Sequence, residues 1–197
     1  MKVLVACEYS GIVRRAFHER GHDVMSCDLL PADDGSPYHY QGDVLEFWNQ
    51  IGKIDLIIAH PPCTHLAVSG AAWFKQKQAD GRQREGIDFF MKMINAPAQR
   101  VCVENPVCIM SRLYRKPDQI INPWQFGQSI NKKTCLWLKN LPLLVPTKIV
   151  EQEEYVTYAS GKRSPIWHAK SGGGCGHKRS VFFEGVASAM ADQWGRL

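Results

Sequence analysis

Residues 53–63 read KIDLIIAHPPC. Leu56 to Ala59 are apolar without alternation, the mark of a strand covered on both faces. Pro61 and Pro62 stop it, because proline fixes φ and brings no N–H to a ladder. Cys63 follows at once. It is either an inert cysteine at a tight turn or a nucleophile held rigidly at a strand's end.

Working outward, the N-terminal half repeats strand and helix at short spacing. VLVAC (3–7) is a short apolar run, GIVRRAFHERG (11–21) places Ile12, Ala16 and Phe17 on one helical face, and DVMSCDL (23–29) is a second strand. PADDGSPYHYQGD (31–43) is rich in turn formers. QREGIDFFMKMINA (83–96) has a helical pattern, and RVCVEN (100–105) is a strand that breaks at Pro106. Such alternation predicts an α/β fold with a mostly parallel central sheet and helices on both faces. Farther on, TCLWLKN (134–140) reads as a strand and GVASAMADQW (185–194) as a packed terminal helix with Val186, Met190 and Trp194 on one side. Residues 141–180 are rich in Pro, Gly and Ser and read as loops with one hairpin in EEYVTYASGKRSPIW.

A chain of 197 residues with 45% hydrophobic composition fits one domain, 1–197, with a real core. The first eleven residues lack the apolar length of a secretory leader, and no run reaches the roughly 18 apolar residues of a membrane span. These features place the expected chain in the cytoplasm, away from membranes. Seven cysteines, an odd number scattered through strand-like runs, read as reduced thiols. Cys7, Cys27, Cys102 and Cys135 look like small apolar fillers. Cys175 and His177 form a C-x-H without partner ligands at metal spacing, so no metal is expected. The net charge of +5 is uneven: residues 1–100 carry 11 Lys/Arg against 12 Asp/Glu, residues 101–197 carry 13 against 7. A basic C-terminal half suits a polyanion approaching one side, or simply a solvated surface.

In parallel sheets, ligands lie beyond the carboxyl ends of the strands. That rule gathers Cys7 to Gly11, Asp28, Asp43, the Pro61-Pro62-Cys63 turn and Glu104-Asn105-Pro106 on one rim. Ser10-Gly11 before a helix is similar to a nucleotide-binding turn, without the full G-x-G-x-x-G pattern. Asp28, at the end of the second strand, stands where a carboxylate accepts from ribose hydroxyls. Asp43 is either a contact to an adenine amino group or a helix cap.

Pro61-Pro62-Cys63, with Gly70 seven residues on and Glu104-Asn105 ending the next strand, resembles the PPC and EN motifs of the S-adenosylmethionine-dependent DNA cytosine-5 methyltransferases. The order of cofactor turn, acidic residue, acidic residue, PPC and EN agrees, and the likeness covers residues 3–106 well and the remainder loosely. It implies a Rossmann-like methyltransferase fold with S-adenosylmethionine held by Glu8, Tyr9, Ser10, Gly11, Asp28, Asp43 and Pro61. It further implies that Cys63 attacks carbon 6 of cytosine and Glu104 protonates nitrogen 3, so that carbon 5 takes the methyl group. The chemistry needs both groups, since an unactivated pyrimidine carbon cannot attack a sulfonium methyl. Pro62, Asn105, Lys132, Lys133, Arg163 and Arg179 are the implied substrate contacts.

Departures from the pattern are specific. The first glycine-rich motif is reduced to Ser10-Gly11, Thr64 stands where glutamine is usual, and Pro106 replaces a valine. Lys132 and Lys133 replace an arginine pair, and lysine cannot make arginine's planar two-pronged contact; a solvated turn is the other reading of that pair. The stretch after Leu144 is too short for a large target-recognition domain, although Lys162, Arg163, Lys170, Lys178 and Arg179 suit phosphates. The implied substrate is therefore DNA, duplex or single-stranded, read with low or short sequence specificity. Small proteins of this kind resemble those carried by bacteriophages, which would place this one in a host's cytoplasm. A cytidine mononucleotide such as dCMP is the alternative substrate, and a degenerate fold that binds DNA or cofactor without catalysis is the alternative from another class.

Overall fold

The structure, a computed structural model, describes residues 1–161, 163–166 and 181–197. Seven strands form one sheet: β1 (Lys2–Ala6), β2 (Asp23–Asp28), β3 (His39–Gln41), β4 (Ile54–Ala59), β5 (Ala98–Pro106), β6 (Gln119–Ile121) and β7 (Thr134–Lys139). Their spatial order is β3-β2-β1-β4-β5-β7-β6. Pairs from β3 to β5 are parallel, and β7 alone runs against both of its neighbours. The expected α/β class with a mostly parallel sheet is what the chain forms.

Successive residues of the central strands serve opposite faces, as the strand period of two requires. Val3, Val5, Leu56 and Ile58 pack with Phe17 of α1 (Ile12–His18) and with Val186, Met190 and Trp194 of α6 (Glu184–Trp194). Leu4, Ala6, Ile57 and Ala59 pack with Phe47 of α2 (Val44–Gln50) and with Phe90 and Met93 of α4 (Arg82–Ile94). Helices therefore cover both faces, and the uninterrupted run of β4 follows from burial on each side. Between β4 and β5 the chain also makes a 3-10 turn (Val68–Trp73) and α3 (Phe74–Ala79); α5 (Met110–Leu113) follows β5. No helix among the described residues is long and apolar enough to cross a membrane.

Three elements differ from the sequence expectation. β3 and β6, three residues each, are edge strands made by pairing rather than by an apolar run. Residues 44–50 form α2, started by Asp43, whose side chain accepts from Leu45 N. Cys7 lies beyond β1 with φ 60 and is only half-buried, so it is a turn residue and not a strand filler. Cys27, Cys102 and Cys135 are buried, as apolar fillers would be. The hairpin is β8 (Tyr155–Thr157) with β9 (Arg163–Pro165).

Candidate active site

β1 sits where the strand order reverses: β2 and β3 lie to one side, β4 and β5 to the other. The crevice at the carboxyl ends of β1 and β4 is the place where such a sheet offers a ligand site. The turn leaving β1 is built around Glu8. Its carboxyl accepts from Val13 N at 2.6 Å and Arg14 N at 3.2 Å, satisfying the amides that open α1. Burial pushes the Glu8 carboxyl above its ordinary range, against the opposing pull of His60, the two amides and Arg14. Glu8, which the sequence offered as a cofactor contact, uses both oxygens on α1 and so shapes the turn that carries Tyr9, Ser10 and Gly11. Gly11 has φ 67, and a Cβ there would lie 3.0 Å from Asp34 Oδ2 and collide with the Arg14 guanidinium. Only glycine fits this close approach.

The loop after β2 folds down on that turn. Asp34 pairs with Arg14 at 2.6 Å and Arg15 at 3.0 Å, and Asp33 N donates to the Tyr9 carbonyl. Arg14 also reaches Ser26 and Ser36. The loop is thereby fixed beside a cleft of about 160 Å³, whose lining includes Cys7, Asp28, Gly42, Asp43, Pro62 and Phe89. Pockets that bury a drug-sized ligand run about 300–1,000 Å³, so this one could enclose only part of a larger ligand. Asp28 and Asp43 line it together. Each also serves locally, Asp28 accepting from Leu30 N and Asp43 capping α2, so the two readings of Asp43 are compatible.

Pro62 belongs to the cleft, and Cys63 follows it in the chain; the lining itself includes neither Cys63 nor Glu104. The Cys63 carbonyl accepts from Leu66 N and Ala67 N, which folds residues 63–67 into a turn. That turn is braced from two sides. Lys77 Nζ donates to the Thr64 carbonyl at 2.6 Å, and residues 66–68 pair with 107–109 beyond β5. Asn105 closes the frame by donating Nδ2 to the Pro61 carbonyl at 2.7 Å. Asn105, offered by the sequence as a substrate contact, is 1% exposed and acts through Nδ2 as a clamp behind the turn. Cys63 is half-buried, and the buried Cys108 thiol is pushed up to about 11 by burial first, then by the nearby Cys63 and Glu104.

Glu104 lies two residues before the end of β5, opposite Leu136 of β7 and next to Asn105, and is bonded through Oε2 to His60 Nδ1 at 3.0 Å. Lys132 and Lys133 enter β7 at the same rim, because Thr134 pairs with Pro106. Lys132 Nζ lies 5.2 Å from the centre of the Phe183 ring. Arg163 is on the outlying ribbon, stacked 5.1 Å from the Tyr155 ring, whose hydroxyl accepts from Asn131 beside Lys132. Arg179, with Lys162, Lys170, Cys175, His177 and Lys178, lies outside the described residues. Among the described residues no group of three or more His, Cys, Asp or Glu side chains could hold a metal ion. The residue that sequence reasoning missed is His60. Its place directly before Pro61-Pro62, at the end of a fully buried strand, was the available signal.

No protein-family model matches the chain, and no curated protein matches it. Among solved structures it is similar to a protein assigned as a DNA modification methyltransferase encoded within an E. coli prophage. That likeness has a TM-score of 0.53 and 18% identity over 77% of this chain and 52% of that one. It is similar also to the Entamoeba histolytica methyltransferase EhMeth, with a TM-score of 0.50 and 14% identity over 78% of this chain and 57% of the other. The chain thus spans about half the length of these structures, and what it shares with them is the Rossmann-like methyltransferase fold.

Proposed function

We propose that the chain transfers a methyl group from S-adenosylmethionine to carbon 5 of cytosine in DNA, with Cys63 as nucleophile and Glu104 as acid. One observation carries the reading: Asn105 ties the Pro61 carbonyl to β5 at 2.7 Å, so the turn bearing Cys63 and the strand bearing Glu104 are held as one unit beside the Asp28–Asp43 cleft. Likeness in fold to a DNA modification methyltransferase supports the reaction class and the choice of DNA.

The residues fit the cofactor. Asp28 and Asp43 are acceptors for ribose hydroxyls and an adenine amino group, and Pro62 and Phe89 offer apolar walls. When bound, S-adenosylmethionine supplies an electrophilic methyl group on a sulfonium. The chain's own part is addition of the Cys63 thiolate to carbon 6 while nitrogen 3 takes a proton from Glu104, which leaves carbon 5 electron-rich. After alkylation a base takes the carbon 5 proton, the 5,6 double bond re-forms as the Sγ–carbon 6 bond breaks and expels the thiolate, and nitrogen 3 returns its proton to Glu104. A base must leave its stack to reach a thiol in this position. Lys132 and Lys133, on the rim beside Glu104, are suited to phosphate contact without base readout.

Tritium transfer from labelled cofactor to DNA tests the reaction, with dCMP as competing substrate in the same mixture. Wild type should label DNA, and Cys63→Ser should abolish the labelling. Undiminished transfer by Cys63→Ser removes the thiol from the chemistry, and labelling of dCMP in preference to DNA moves the substrate to the free nucleotide.

A further inference from the structure

We infer that His60 is the positioning residue of Glu104, an assignment that rests on the methyl-transfer reading for its chemistry and on geometry for the pair. His60 Nδ1 and Glu104 Oε2 are 3.0 Å apart, and both side chains are 12% exposed. The imidazole cannot drift. Its backbone amide donates to the Ala6 carbonyl of β1 at 2.9 Å, and its ring lies 4.7 Å from the Phe182 ring on the approach to α6. The titratable groups that face it are Glu104 from β5 and the buried Glu8 of the β1–α1 turn, with Arg14 beside Glu8. On the α6 side the facing group is the apolar Phe182, beyond which Lys132 lies over Phe183.

A second observation marks the same place. Four buried side-chain polar atoms lack a hydrogen-bond partner among the described residues: His60 Nε2, His65 Nδ1, Asn105 Oδ1 and Asn122 Oδ1. Three of the four belong to residues in, or clamped to, the turn around Cys63. Folded proteins keep few such atoms, and each calls for an explanation, a bound water or a catalytic role among them.

The tautomer with its proton on Nδ1 donates to Glu104 Oε2 and leaves no buried N–H to satisfy at Nε2. That bond fixes the carboxyl so that Oε1 remains for the cytosine ring. As the Sγ–carbon 6 bond forms and the ring's carbon 5–carbon 6 π pair is displaced, the electron pair arriving at nitrogen 3 takes the Oε1 proton. Glu104 becomes a carboxylate at that moment, and the Nδ1–H already aimed at Oε2 stabilises the charge without reorganisation. Overall charge is conserved: the thiolate's negative charge passes to Glu104.

Two substitutions separate positioning from packing. His60→Asn keeps an N–H near the place of Nδ1 and loses the ring, whereas His60→Phe keeps a ring against Phe182 and loses the donor. Positioning predicts that His60→Phe lowers kcat by about 10²-fold with little change in KM for DNA, and that His60→Asn recovers most of the loss. The reverse order, or equal activity of His60→Phe and wild type, overturns it. A readout independent of methyl transfer is the ¹⁵N NMR spectrum of the neutral His60 ring, whose two nitrogens report which of them carries the proton. A proton on Nδ1 in wild type supports the pair, and a proton on Nε2 overturns it. Should wild type label neither DNA nor dCMP while the proton sits on Nδ1, the proposed reaction falls and the pair stands. Should labelling proceed while His60→Phe is fully active, the reaction stands and the positioning role falls.

Discussion

Asn105 Nδ2 lies 2.7 Å from the Pro61 carbonyl, a contact that spans 44 positions in the chain and joins the ends of two adjacent parallel strands. Proline supplies no N–H of its own to this part of the ladder, so its carbonyl is the group by which a neighbour can hold it. Replacing Asn105 by Ala strands a buried acceptor and should cost about 1–3 kcal/mol in urea unfolding. The same substitution should lower methyl transfer more than the loss of folded protein explains, because the Cys63 turn is no longer registered on β5. A variant that matches wild type in both measurements would show that the clamp carries no strain or position.

Thiol chemistry offers an independent check on Cys63. Burial, with Asp28 and Asp43 behind it, pushes Cys27 up to about 12; burial with Cys108 and Glu104 does the same for Cys135. Burial pushes Cys108 up to about 11, and Cys7 and Cys102 are raised as well, both chiefly by burial. Only thiolates alkylate at a useful rate. Limited iodoacetamide treatment at pH 8, followed by peptide mapping, should therefore modify Cys63 before any of these five. Faster labelling of Cys108 or Cys7 would contradict the half-buried, rim placement of Cys63.

Glu8 gives stability a pH dependence of definite sign. Burial raises its carboxyl above the ordinary range, more than His60, the Val13 and Arg14 amides and the Arg14 charge lower it. A group that holds its proton more tightly when folded stabilises the protein fully below the ordinary carboxylate range, and this contribution is lost as pH rises through the raised value. Urea midpoints of wild type should therefore decline relative to Glu8→Gln as pH rises above the ordinary carboxylate range. A difference that is flat with pH, or that grows in favour of wild type, would mean that the Glu8 carboxyl ionises easily in the folded chain.

The buried strands were legible because each carries its own apolar run: VLVA, LIIA, RVCV and CLWL are core segments wherever the chain puts them. β3 was not, since His39-Tyr40-Gln41 has no such run and becomes a strand through pairing with Ser26, Cys27 and Asp28. The hold of Glu8 on α1 was not legible because its partners are backbone amides five and six residues on, which a residue pattern does not display. Asn105 and His60 were hidden by distance in the chain: each acts on a partner 44 positions away that only the register of β4 against β5 brings near. The turn around Cys63 was legible for the opposite reason, since two prolines and a cysteine are rare neighbours with strong local geometry.

Asp43 can be divided into its two roles experimentally. Its Oδ1 accepts from Leu45 N at 2.8 Å, capping α2, and the residue also lines the cleft with Asp28. Asp43→Ala removes both functions and should cost about 1 kcal/mol through the lost cap alone. Asp43→Ser keeps a capping oxygen and removes the carboxylate, so its unfolding midpoint should stay near wild type. If the carboxylate meets the cofactor, calorimetry should nevertheless show S-adenosylmethionine affinity about tenfold weaker in Asp43→Ser, the weight of one charge-assisted hydrogen bond. Asp28→Asn should weaken binding by a similar factor while leaving the cap intact. Wild-type affinity in both Asp43→Ser and Asp28→Asn would confine the two carboxylates to their backbone partners and move the cofactor out of this cleft.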